Sequence, residues 1–114
     1  MSNFIANNCR LVGTHLTTTG NTSCFVAKGY AQVISVSCAN ITASAATVTI
    51  GWFDNSASDT FRIVYQHSVS GNTTVVFPTD GYALDTTDEI RVQAGTANAI
   101  DVIVALAEVP GRSG

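Results

Sequence analysis

The stretch Ala46-Thr47-Val48-Thr49-Ile50-Gly51-Trp52-Phe53 decides the fold class. In an extended chain Val48, Ile50 and Trp52 fall on one side, and Thr47 and Thr49 fall on the other. That period of two marks a strand with one buried face. Trp52 and Phe53 are neighbours, so if one faces a core the other faces outward. The preceding segment, 30–41, alternates in the same way: Ile34, Val36 and Cys38 are expected on one side, with Ser35 and Ser37 on the other. After Phe53 comes Asp54-Asn55-Ser56-Ala57-Ser58-Asp59, dense in turn-forming residues. A strand over 60–67 follows, with Phe61, Ile63 and Tyr65 expected on one face and His67 continuing it to the rim of the core.

Working outward, Ser70-Gly71-Asn72 turns the chain into a strand at Thr73–Phe77, which Pro78 is expected to end because proline cannot donate to a ladder. A loop over 79–87 leads to Asp88–Ala94, where Ile90 and Val92 alternate with Arg91 and Gln93. Gly95-Thr96-Ala97-Asn98 turns into a last strand over 99–109. Upstream, Cys9–Leu16 and Thr22–Val26 are two further strands joined by a loop over 17–21. No amphipathic helix or internal repeat interrupts the series. About eight short strands with regular turn signals predict an all-β fold, a single antiparallel β-sandwich or jelly roll. The domain is expected to span 9–109, with an N-terminal tail at 1–8 and a C-terminal tail at 110–114.

The last strand differs from the others. Residues 102–107 are apolar on both faces, which suits a central strand covered on both sides. Ile103 and Ala105 lie on its outward face and are candidate interface residues, as is Phe53. Composition points the same way. Charged residues make up 11% of the 114, against about 25% in typical domains. Ser, Thr and Asn take their place, and a surface of that kind is cheap to desolvate because no ion has to shed its water. The single lysine, Lys28, leaves the sheet edges without the charge that usually blunts them. Buried outer surfaces in an assembly are expected.

Several functions are disfavoured. The net charge is −3, and Arg10, Lys28, Arg62, Arg91 and Arg112 are scattered singly, so no basic face for nucleic acid is in view. No apolar run approaches the roughly 20 residues of a membrane span. The opening Met1-Ser2-Asn3-Phe4-Ile5-Ala6 lacks the form of a signal peptide, so synthesis in a cytoplasm is expected. His15 and His67 sit in no nucleophile or metal motif, and both read as structural histidines. Asp54 with Asp59, and Asp85 with Asp88 and Glu89, offer hard oxygens but lack EF-hand spacing, and turn capping is the plainer reading. No enzyme, cofactor or metal site is expected. Cys9, Cys24 and Cys38 are an odd set without zinc-site spacing. They read as free thiols packed in strands, or as sources of bonds between subunits once outside a reducing cytoplasm. Cys9, near the N-terminus, is the candidate for an inter-subunit disulfide.

The order of these segments resembles a known group. It runs from Phe25-Val26-Ala27-Lys28-Gly29-Tyr30 through Asn40-Ile41-Thr42-Ala43-Ser44-Ala45-Ala46-Thr47-Val48-Thr49-Ile50. It then continues through Leu84-x-x-x-Asp88-x-Ile90-x-Val92 to Asn98-Ala99-Ile100-Asp101-Val102-Ile103-Val104. Over roughly three-quarters of the chain, from Cys24 to Val109, this resembles small virion structural proteins of tailed bacteriophages. The resemblance implies a β-sandwich present in repeated copies on a particle that is assembled in the host cytoplasm. It carries no catalytic residues to transfer. A capsid decoration or cement protein, as a homotrimer bound to other virion proteins such as the major capsid protein, is the expectation. A neck, collar or tail component is the alternative. From a different class, a module binding host glycans is a third reading, with Phe53 as its aromatic platform.

Overall fold

The computed structural model describes residues 9–109; the expected tails, 1–8 and 110–114, lie outside the described residues. Eight strands follow one another: β1 (Cys9–His15), β2 (Thr22–Val26), β3 (Tyr30–Asn40), β4 (Ala46–Asp54), β5 (Asp59–Val69), β6 (Thr74–Leu84), β7 (Glu89–Ala94) and β8 (Ile100–Val109). They pair as nested antiparallel partners, β1 with β8, β2 with β7, β3 with β6 and β4 with β5. The chain thus runs out through four strands and back through four, as one long hairpin rolled over itself. Cross-pairing of β3 with β8 and of β4 with β7 completes two four-stranded sheets, β1-β8-β3-β6 and β2-β7-β4-β5. This is a jelly roll, one of the two arrangements expected from the strand spacing.

Alternation accounts for the core. Val48 and Ile50 of β4 meet Ala94 and Val92 of β7 across the ladder, and all four are buried. From the other sheet Val33, Val36 and Cys38 of β3, with Val102, Val104 and Leu106 of β8, close over them. A fully buried side chain of this kind contributes about 1.5–3 kcal/mol relative to an exposed one. β8 lies between β1 and β3, the central position its two apolar faces call for.

Three expectations about facing and strand limits are corrected. Ile34 does not join Val36 and Cys38 on the core side. A bulge between Val33 and Ser35 places Ile34 as an extra residue opposite β8, so Val33 and Val36 are both buried and Ile34 is exposed. Phe61, Ile63 and Tyr65 do not share a face, because two register shifts interrupt β5 against β4. Phe61 pairs with Trp52 at the core rim, their rings 5.6 Å apart, while Tyr65 turns to the outer side beside Thr49. Pro78 does not end its strand. β6 runs through it to Leu84, because β6 is an edge strand and Pro78 need donate no ladder bond there.

Polar groups inside the fold are tied down. Asn40, 2% exposed, donates through Nδ2 to the carbonyls of Ser44 (2.8 Å) and Val69 (3.0 Å). Its Oδ1 accepts from the Thr42 amide and hydroxyl. Gly71 lies so close to this same loop that a Cβ there would overlap the Ala43 carbonyl, so the β5–β6 turn admits no larger residue without moving the β3–β4 loop. His67 packs edge-on against Phe77 at 5.2 Å, closing the seam between edge strands β5 and β6 at the rim of the core.

Candidate interaction surfaces

The outer face of the β1-β8-β3-β6 sheet is built from residues that alternate with the core set. Across the ladders, Leu11, Ala105 and Ser35 form one row, and Gly13, Ile103, Ser37 and Val76 form the next. Leu11 is 67% exposed, Val76 59% and Ile103 43%. The residues between them are small, so the large apolar side chains stand clear of a flat surface. Neither row contains an Asp, Glu, Lys or Arg. Exposed Ile34 adds to this face at the β3 bulge. Among the described side chains, charge enters this face in the end row, where His15 and Asp101 stand opposite one another. Their Nδ1 and Oδ1 atoms are 2.6 Å apart. The hydrogen bond to Asp101 raises the His15 pKa above its ordinary 6.5, with a smaller contribution from the Asn98 side chain and against a partial loss of hydration. Of the expected interface residues, Ile103 and Ala105 therefore both lie on this outer face.

The cysteines separate into two kinds. Cys24 and Cys38 are buried free thiols, and burial pushes both upward in pKa, Cys38 to about 12. Burial of this kind is expected to leave both thiols unreactive. Cys9 is exposed on edge strand β1, so the packed-thiol reading holds for two of the three cysteines and not for Cys9.

The outer face of the second sheet mixes Thr, Gln, Glu and Arg side chains with Phe53 and Tyr65. Phe53 is not an open platform there: the Arg91 guanidinium lies 3.8 Å from its ring centroid, and Arg91 Nε is in turn held by Glu89 at 2.9 Å. That pairing holds the Glu89 carboxyl below its ordinary pKa. Nearby, a groove of about 270 Å³ opens between β4, β5 and the end of β7, lined by Thr47, Thr49, Arg62, Tyr65, Gln66 and Gln93. A bulge shapes it, since Tyr65 and Gln66 together oppose Thr49 alone. Gln66 takes φ +50°, a left-handed conformation uncommon outside glycine, and its amide donates to Thr49 Oγ1 at 3.0 Å. Such a conformation costs of order 1–3 kcal/mol and clusters at ligand-binding sites.

The loop carboxylates serve the turns. Asp88, 4% exposed, accepts from Trp52 Nε1 (3.2 Å), the Asn55 amide (3.1 Å) and the Asp85 amide (3.1 Å). Asp54 caps its own turn through the Ser56 amide and hydroxyl. Among the described residues no three His, Cys, Asp or Glu side chains converge as metal ligands would.

No family model matches the sequence. No curated protein sequence matches it either. Solved structures do share its architecture. The capsid structure of the Helicobacter pylori bacteriophage KHP30 superposes with a TM-score of 0.60 at 17% identity, over 90% of this chain and 89% of that one. A pentameric capsid protein from metagenomic phage sequences matches with a TM-score of 0.51 at 17% identity over 90% of this chain, which spans 62% of that protein's length. PirA matches with a TM-score of 0.52 at 15% identity, over 86% of this chain and 93% of its own. At these identities the shared property is the fold: the chain is an eight-stranded jelly roll of the kind found in phage capsid structures.

Proposed function

We propose that this chain is a structural protein of a bacteriophage particle, a capsid decoration or cement protein that acts through contacts between copies and with the capsid. The observation that carries the reading is the outer face of the β1-β8-β3-β6 sheet, where Leu11, Ile103 and Val76 stand exposed on a surface free of charged residues in its two central rows. Exposed apolar side chains gathered on one flat face mark an interaction surface. Burial yields ~25 cal/mol per Å² of apolar area, part of which offsets the cost of association. Repetition over a particle then turns modest contacts into a durable shell. The jelly roll that this chain shares with phage capsid structures supports the setting.

In this role Ile103 and Ala105 lie in the contact, and Cys9, on the same sheet's edge, is placed to pair with a neighbouring copy. A homo-oligomer is the working form, with three copies the expected number. Native mass spectrometry of the purified chain, and electron microscopy of phage capsids with and without it, test the proposal. An oligomer that adds ordered density to the capsid surface supports it. A strict monomer that binds no virion component overturns it.

A further inference from the structure

We infer that the groove on the outer face of the β2-β7-β4-β5 sheet is a binding site for an acidic sugar, a pyranose bearing a carboxylate. The inference goes beyond the structural role, because this groove and the charge-free face lie on opposite sheets.

The geometry supplies each element such a ligand requires. Arg62 stacks with its guanidinium 5.6 Å from the Tyr65 ring centroid, and among the described residues it makes no ion pair. Arg10 and Arg91, by contrast, are each held by a glutamate. A guanidinium positioned in a groove without a counter-carboxylate is matched to an incoming carboxylate, which it can bind through two parallel hydrogen bonds. Arg62 lies over the Tyr65 ring at a longer distance than Arg91 over Phe53, and Tyr65 is 64% exposed, so ring surface remains to meet the C–H face of a sugar. Gln93 is oriented by donating Nε2–H to the Thr19 carbonyl at 2.9 Å, which leaves its Oε1 to accept from a hydroxyl. Thr49 Oγ1 accepts the Gln66 amide, so its own O–H is left to donate. Gly95 lets the end of β7 pack closely against Thr47, whose Oγ1 a Cβ there would overlap.

A groove of about 270 Å³ takes one sugar ring and not an extended chain. One ring on a shallow polar site binds with a millimolar Kd, and many copies on a particle raise the effective affinity. The left-handed Gln66 has a role on this reading: the bulge turns Tyr65 and Gln66 toward the ligand.

The test is an NMR titration of the full chain, with backbone amide shifts followed on adding methyl glucuronide, N-acetylneuraminic acid, methyl glucoside or inorganic phosphate. Saturable shifts at Thr49, Gln66 and Gln93 with at least one acidic sugar are expected. Arg62→Met should weaken that binding about tenfold or more while leaving the spectrum of the folded protein otherwise intact. Tyr65→Ala should weaken it as well. The inference fails if no acidic sugar moves these amides, if the neutral glucoside binds as well as the acids, or if Arg62→Met binds like the parent. Phosphate producing the same shifts with the same dependence on Tyr65 would also overturn it, since the site would then recognise a bare anion. None of these outcomes bears on whether the opposite sheet assembles, so the two proposals fail separately.

Discussion

The indole of Trp52 donates to the buried carboxylate of Asp88 at 3.2 Å, and this bond fastens the end of β4 to the turn that opens β7. The same carboxylate receives the Asn55 and Asp85 amides, so one side chain organises two loops. Asp88→Ala leaves three donors to find new partners. Each hydrogen bond to a charged group contributes about 1.5–3 kcal/mol, and the three are not additive because they share one acceptor. A loss of about 3 kcal/mol is expected, measured as a lower urea midpoint at unchanged slope. Asp88→Asn keeps an acceptor oxygen and should lose less. Equal stability of the parent and the alanine variant would show the network to be idle.

The fold was largely legible in the sequence because alternation was strong where both partners of a pair are buried. Val48 and Ile50 announced their face, and the turn clusters at 54–59 and 95–98 marked the ends of β4 and β7. What escaped were the positions where the period slips. Nothing in Val33-Ile34-Ser35 tells a bulge from a regular strand, because a bulge is imposed by the partner strands and not by local preference. Pro78 was misleading for the same reason, since whether a strand tolerates proline depends on its lying at an edge. The interaction surfaces divided similarly. Ile103 was visible as the wrong residue for a solvated face, whereas the groove depends on a left-handed Gln66 and on an Arg62 that makes no ion pair among the described residues, which three dimensions alone reveal.

Ile103 tests whether the charge-free face assembles. It points away from the core, so a polar substitution there should leave the monomer's stability within about 0.5 kcal/mol. In an assembled interface, however, Ile103→Asp buries an uncompensated carboxylate. Native mass spectrometry should show the oligomer dissociating to monomer while the unfolding midpoint of that monomer stays in place. Thr60→Asp, on edge strand β5 of the other sheet, is the matched control and should stay oligomeric. Dissociation by both variants would point to general charge repulsion instead of this face.

The thiols make a third, cheaper prediction. Cys9 is exposed, while Cys24 and Cys38 are buried with their pKa values pushed up. A chromogenic disulfide reagent at neutral pH should titrate one thiol rapidly in the folded protein and all three in denaturant. Cys9→Ser should abolish the rapid phase. If assembled particles pair Cys9 between copies, the same substitution removes a dimer band from a non-reducing gel. Rapid reaction of two or more thiols in the folded parent would contradict the packing around Cys24 and Cys38.

His15 and Asp101 give the face a pH dependence. Asp101 holds the His15 pKa above 6.5, so the folded state binds its proton more tightly than the unfolded chain does. The sign follows from linkage: the stabilisation is fully present below the unfolded pKa and is lost as pH rises through the folded value. The pair is exposed, which keeps the effect on stability small. Its place beside the charge-free rows matters more, since a neighbouring copy docking there would cover it. Carbon-proton NMR of the His15 ring should give a titration midpoint above 6.5 in the parent and a lower one in Asp101→Asn. Oligomer dissociation measured from pH 5 to pH 8 should then shift in the parent and stay flat in His15→Gln. An Asp101→Asn ring that titrates like the parent would remove Asp101 as the cause.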